Sequence, residues 1–311
     1  MFLQNVETAA MQVAILYVLV AVGFICDKTG LYTEKAARLT NDLLFYIVTP
    51  AIIIESFSSI AYSNETLKNL LLSFAGGAAL HAIAILLSLP FFRKGDKRTT
   101  HTYKFACVYG NVGYMALPLA QAVLGAEGVF FCSGVLIPFN IFEFTHGIRL
   151  MAGVSSKKTG FKLKWLLFNP GVISVLIGLP IFLLRLSLPR LILEPAGLIA
   201  DLNTPLAMLM FGTYLAQTDL KKMFFRKETY LVSILKLLVL PAVMLGSMKL
   251  VGIAGTLCTA LVISASAPPA NNTVMFAAKY NCDTEAASQT VAVSSFLSIL
   301  TMPLFIAASQ V

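Results

Sequence analysis

Ten apolar runs recur along this chain, at about 8–26, 36–56, 69–92, 102–124, 128–151, 167–185, 191–216, 229–249, 255–280 and 284–308. Each is near or above the ~20 residues a helix needs to cross a bilayer. Hydrocarbon offers no partner to a backbone N–H or C=O, so runs of this length must be helices. Composition agrees: 58% of residues are hydrophobic and 12% are charged, against roughly a quarter charged in soluble domains. The fold class is therefore an all-α polytopic membrane protein. Glu7 precedes the first run and no basic stretch does, so that run reads as the first span rather than a cleaved signal. The five cysteines, at 26, 107, 132, 258 and 282, have no metal-ligand or disulfide spacing. No H-E-x-x-H, G-x-S-x-G or P-loop is present, so no enzyme is expected.

The net charge of +8 has a membrane explanation rather than a nucleic-acid one. Eighteen of the 23 Lys and Arg fall in the loops near 28–38, 93–104, 149–164, 221–227 and 279. The alternate loops hold four, Lys68, Arg185, Arg190 and Lys249, and Lys236 lies within a span. The positive-inside rule puts the first set in the cytoplasm and both termini outside.

The ten spans split five and five. Thr49-Pro50 and Thr204-Pro205 stand 155 positions apart in the second and seventh spans, and His81 and Lys236 stand 155 apart in the third and eighth. Gly125-Ala126-Glu127 precedes the fifth span as Asn281 to Glu285 precede the tenth. Five is odd, so a second copy enters the membrane from the opposite side. The expectation is an inverted repeat: 1–151, a short basic cytoplasmic loop at 152–166, and 167–311. Such repeats are characteristic of secondary transporters.

Two spans are interrupted. Ser264 to Thr273 reads S-A-S-A-P-P-A-N-N-T, and two successive prolines stop a helix by removing donors and crowding the preceding turn. Gly110-Asn111-Val112-Gly113-Tyr114-Met115-Ala116-Leu117-Pro118 interrupts the fourth span. Both occupy the fourth span of their repeat, and such paired interruptions point to a transporter's binding site. Gly110, Gly113, Pro118, Pro268 and Pro269 are read as forming the crossover. Asn111, Asn271 and Asn272 are read as binding the substrate, because amides can donate to a carboxylate and half-helix N-termini favour anions. Tyr114 would touch the body of the substrate, and Thr49 and Thr204 would line the site.

Four ionisable residues are candidates for proton or sodium coupling: Lys236, His81, Glu143 and His146. Lys236 begins about seven residues into its span, roughly 10 Å deep at 1.5 Å per residue. It either snorkels or pairs with a carboxylate, or it balances an anionic substrate. His81 is either a neutral core residue or a switch. Asn140, Glu143, His146 and Arg149, spaced by three, form either a buried ionic ladder or, at Glu143, a proton or sodium site. Asp42, Glu55 and Asp201 read as interfacial or packing residues.

The run N-V-G-Y-M-A-L-P at 111–118, the later A-P-P-A-N-N-T-V-M-F-A-A-K-Y-N-C-D and the terminal S-F-L-S-I-L-T-M-P resemble the auxin efflux carrier family. The resemblance implies ten helices in two inverted five-helix repeats. It also implies broken fourth and ninth helices that cross at mid-membrane and an elevator-like movement against a scaffold. The plant members' long hydrophilic loop is absent, which points to the short bacterial branch, associated with anions such as malonate and malate. The reading is thus a multi-pass carrier of a small organic anion in a bacterial inner membrane. The expected partners are that anion and the bilayer, with a homodimer as an open candidate and no nucleic acid. The competing readings are a sodium-coupled symporter of the bile-acid type and a membrane sensor or partner subunit without flux.

Overall fold

The computed structural model describes residues 2–153, 168–217 and 226–310; most of the expected loop at 152–166, and Lys221 and Lys222, lie outside the described residues. Those residues form eleven helices. They are α1 (Phe2–Lys28), α2 (Glu34–Ser59), α3 (Asn64–Ser88), α4 (Lys97–Val108), α5 (Val112–Ala152) and α6 (Pro170–Leu183). The rest are α7 (Arg190–Gln217), α8 (Lys227–Leu250), α9 (Gly255–Ser266), α10 (Asn272–Lys279) and α11 (Thr284–Ser309). By length and composition seven can cross a membrane: α1, α2, α3, α5, α7, α8 and α11. Helices α6 and α9 are shorter but apolar. Leu71, Leu86 and Leu300 face outward, as a lipid-facing surface requires.

The 41-residue α5 departs from expectation. The turn foreseen at Gly125-Ala126-Glu127 shrinks to one residue, with Gly125 at φ 66°, ψ −154°, backbone that glycine reaches without steric cost. The chain doubles back there. Asn111 and Glu143 both bond to the stretch at 268–272, although a straight helix would hold them about 48 Å apart at 1.5 Å per residue.

Four π-helical turns widen the long helices: Leu44–Val48, Val112–Ala116, Glu143–Gly147 and Leu235–Val239. Three are followed two residues later by proline (Pro50, Pro118, Pro241), whose missing N–H and ring clash the widened turn accommodates. The turn at Glu143 has no such proline.

Helix α1 packs along α7, α2 against α6, α3 against α5, and α8 against α11. A methyl group on Gly23 would overlap the Leu209 carbonyl, and one on Gly212 the Val20 carbonyl. Helices α1 and α7 therefore meet backbone to backbone, the small-residue packing that apolar solvent favours.

Asp283 caps α11 and ties three segments together. It accepts from the Ala286 N–H at 2.8 Å, Thr99 Oγ1 at 2.8 Å and Arg226 Nη1 at 2.9 Å. Burial works against its charge, but these donors outweigh it and hold the carboxyl below its ordinary value of 3.8. A depressed carboxyl contributes stability above its unfolded value and loses it as pH falls through the folded one. Asp283→Asn should lower stability by about 1–3 kcal/mol at neutral pH. In detergent melts the deficit should persist at pH 5 and shrink as pH drops past 3.8.

Candidate functional site

Helix α9 stops because Pro268 and Pro269 have no N–H to offer the carbonyls of Ser264 and Ala265, four residues back. Ala267 leaves the helix with φ −59°, ψ 132°. Helix α4 stops at Val108, with Tyr109 extended at φ −98°, ψ 102°. The two uncoiled stretches then pair. The Asn111 N–H donates to the Pro268 carbonyl at 2.7 Å, and the Ala270 N–H to the Tyr109 carbonyl at 3.0 Å. The result is an isolated antiparallel bridge between Gly110 and Pro269. Each stretch supplies what the other lacks, which is how broken helix survives inside a bilayer.

Past the bridge each chain starts a new helix, α5 at Val112 and α10 at Asn272. The Asn111 side-chain oxygen Oδ1 caps α5 by accepting from the Tyr114 N–H at 3.2 Å. That use fixes the amide's orientation and leaves its NH2 to donate elsewhere. Asn271 stands at the start of α10 and makes no side-chain cap. The Asn111 cap takes the Tyr114 N–H, and the Val112, Thr273 and Val274 N–H groups go to the Gly110, Ala270 and Asn271 carbonyls. What the two helix starts offer the cavity is their dipoles, which sum to roughly one positive charge.

These N-termini face a cavity of about 630 Å³. Asn111, Tyr114, Asn271, Asn272, Thr49 and Glu143 contribute to its wall, with Gly110 and Gly113. The buried Thr49 hydroxyl has no partner there. Glu143 is 1% exposed and accepts from Asn272 Nδ2 at 3.0 Å. Among the described residues no cation pairs with it. Such an arrangement can bind an anion at the amides while keeping a carboxyl beside it.

Several expectations change. The uncoiled stretch is Tyr109 to Asn111, shorter than foreseen; Gly113 lies in the π-helical turn and Pro118 in the helix after it. Thr204 is absent from the cavity wall, unlike Thr49. The ladder along the fifth span does not form, because successive side chains reach different neighbours. Asn140 bonds Asn169 at 2.9 Å, Glu143 bonds Asn272, His146 Nδ1 meets Tyr109 Oη at 2.9 Å, and Arg149 is exposed. His146 therefore braces the break from outside the cavity. His81 is buried, with Nδ1 on the Gly77 carbonyl of its own helix at 2.6 Å and its ring stacked on Phe142. Lys236 does not snorkel: it is 1% exposed and lies against Gly110. Asp42, read as interfacial, lines the cavity with Asn41, Asn140, Asn169 and Lys279. Sequence reasoning passed over Asn41 and Asn169 and gave Asp42 and Asn140 other roles; an asparagine inside an apolar run, at 41, 140 and 169 alike, was the signal open to it.

The profile of the family described as "Membrane transport protein" matches residues 8–306. An uncharacterized transporter of Methanocaldococcus jannaschii is 25% identical, covering 94% of this chain and 96% of that one. A Rhizobium meliloti protein named "Putative malonate transporter" is 23% identical, covering 91% and 90%. An uncharacterized transporter of Methanothermobacter thermautotrophicus is 24% identical, covering 93% and 94%.

A methyl added at Gly110 would come within 2.8 Å of Lys236 Nζ and 3.0 Å of the Ala267 carbonyl. Gly110→Ala should therefore cost about 1–3 kcal/mol through overpacking, seen as a lower melting temperature in detergent. Gly113→Ala, with nothing within 4 Å of the added methyl, should melt close to wild type.

Proposed function

The chain belongs to the membrane transport protein family, the family of the auxin efflux carriers, and from that premise we propose that it is a secondary active carrier of a small organic anion. It is a membrane transporter, not an enzyme. The observation that carries the substrate reading is the bridge between the two breaks, set in the wall of a largely apolar cavity that carries several amide and carboxyl side chains, with two helix N-termini facing it. Asn111 and Asn271 donate to a carboxylate, and the dipoles of the two helix starts add positive potential there. Tyr114 packs on the body of the solute, and the Thr49 hydroxyl bonds its far end. A mono- or dicarboxylate fits this chemistry, and the printed name of the Rhizobium relative carries malonate.

The fold we propose has ten crossings in two inverted repeats, with α4 and the start of α5 as one broken span and α9 with α10 as the other. Helix pairing supports it. A two-fold exchange of the repeats turns the α1–α7 contact into α6–α2, and the α3–α5 contact into α8–α11. Helices α1, α2, α6 and α7 form the scaffold, and the crossing moves against them as an elevator. The wall of the cavity fits that division, since Asn41, Asp42 and Thr49 come from α2 and face the crossing. The charge asymmetry of the loops supports cytoplasmic basic loops and outward termini in a bacterial inner membrane.

Glu143 couples the proton. An ionised carboxylate buried without a cation costs several kcal/mol, and here it would also repel the arriving anion. The neutral acid removes both penalties, so proton and anion travel together. In proteoliposomes, Asn111→Asp should keep the cap but set a negative charge where a donor was, weakening malonate counterflow at least tenfold, or ~1.4 kcal/mol. Its melting temperature should stay near wild type. Glu143→Gln should retain counterflow but lose accumulation driven by a pH gradient. Wild-type counterflow from Asn111→Asp would refute the anion site, and wild-type accumulation under a pH gradient from Glu143→Gln would refute the coupling.

A further inference from the structure

One buried charge is left over by the anion site. Lys236, in the π-helical turn of α8, is 1% exposed and no carboxylate pairs with it among the described residues. A cation in such a place requires a negative partner. The titratable side chains beside it are His81 and Cys107, and neither is a carboxylate.

The backbone does. Lys236 Nζ and the Ala267 carbonyl oxygen lie 2.8 and 3.0 Å from the same point, where a Cβ on Gly110 would be. Helix α9 ends at Ser266 and α4 at Val108, so both chains arrive with carbonyls that no following turn pairs. Pro268 and Pro269 withhold donors from Ser264 and Ala265. The N–H groups of Asn111 and Val112, which a continuous helix would give to Cys107 and Val108, go to Pro268 and Gly110 instead. Each helix C-terminus carries roughly half a negative charge. Two such ends amount to about one, and one ammonium matches them.

We propose that Lys236 is the resident cation of the crossing: it neutralises the two C-terminal ends itself, so that transport needs no sodium. The flux part of this rests on the carrier reading above; the stability part does not.

The test uses the purified full chain and proteoliposomes, in chloride salts of sodium, potassium or choline at one ionic strength. Wild-type melting temperature and malonate counterflow should be the same in all three. Lys236→Met, similar in length but uncharged, should lose counterflow at least tenfold. Lys236→Ala leaves a hole the size of n-propylammonium. That cation should raise its melting temperature and restore counterflow at least severalfold over choline, while leaving wild type unchanged. Sodium-dependent wild-type stability or flux would overturn the proposal, as would full flux and wild-type stability in Lys236→Met. If wild type carried no malonate, the carrier reading would be the one to fail, and the melting comparisons would still decide the role of Lys236. If Lys236→Ala did not fold, the salt comparison and Lys236→Met would decide it.

Discussion

A helix cannot stop inside a buried apolar interior unless its freed backbone groups find partners, and here two helices stop side by side. Each break is the other's solution. The Asn111 N–H reaches the Pro268 carbonyl and the Ala270 N–H the Tyr109 carbonyl. An unmet backbone group in lipid costs several kcal/mol, so neither interruption is tolerable alone. The pairing also explains Gly110, where the strands approach too closely for a side chain.

Stopping and restarting two helices at one place separates charge. The C-terminal ends of α4 and α9 gather on the side of Lys236, and the N-terminal ends of α5 and α10 face the cavity. Helix dipoles screened within a turn in water act here in a low-dielectric interior, where they count for more. The cavity wall and the Lys236 side are two faces of one arrangement.

The sequence revealed the breaks because Pro268-Pro269 and the Asn-rich neighbours are local signals with a covalent cause. Membrane class was equally plain, since hydropathy is summed over twenty residues at a time. What was hidden depended on direction. Spacing by three placed Asn140, Glu143, His146 and Arg149 on one face, yet the π-helical turn at Glu143–Gly147 rotates the register and sends each to a different neighbour. The other three π-helical turns have a proline two residues on as a marker, and this one has none. Counting placed Lys236 about 10 Å into its span but left snorkelling, pairing and substrate balance open, because it cannot see α8 pack the side chain inward against Gly110. Thr49 and Thr204 read alike, but only α2 presents its threonine to the cavity.

The two halves cannot be electrostatically identical, and the numbers say why. His81 and Lys236 stand 155 positions apart and are both buried near the crossing. Two lysines would set about +2 against roughly −1 from the two C-terminal ends, and the surplus would sit unpaired in a medium that penalises it. Two histidines satisfied as His81 is, by a carbonyl of its own helix, would leave the C-terminal ends unbalanced. One of each closes the balance. One histidine and one lysine at these two positions thus leave a single buried ammonium beside the crossing, with His81 satisfied by its own helix.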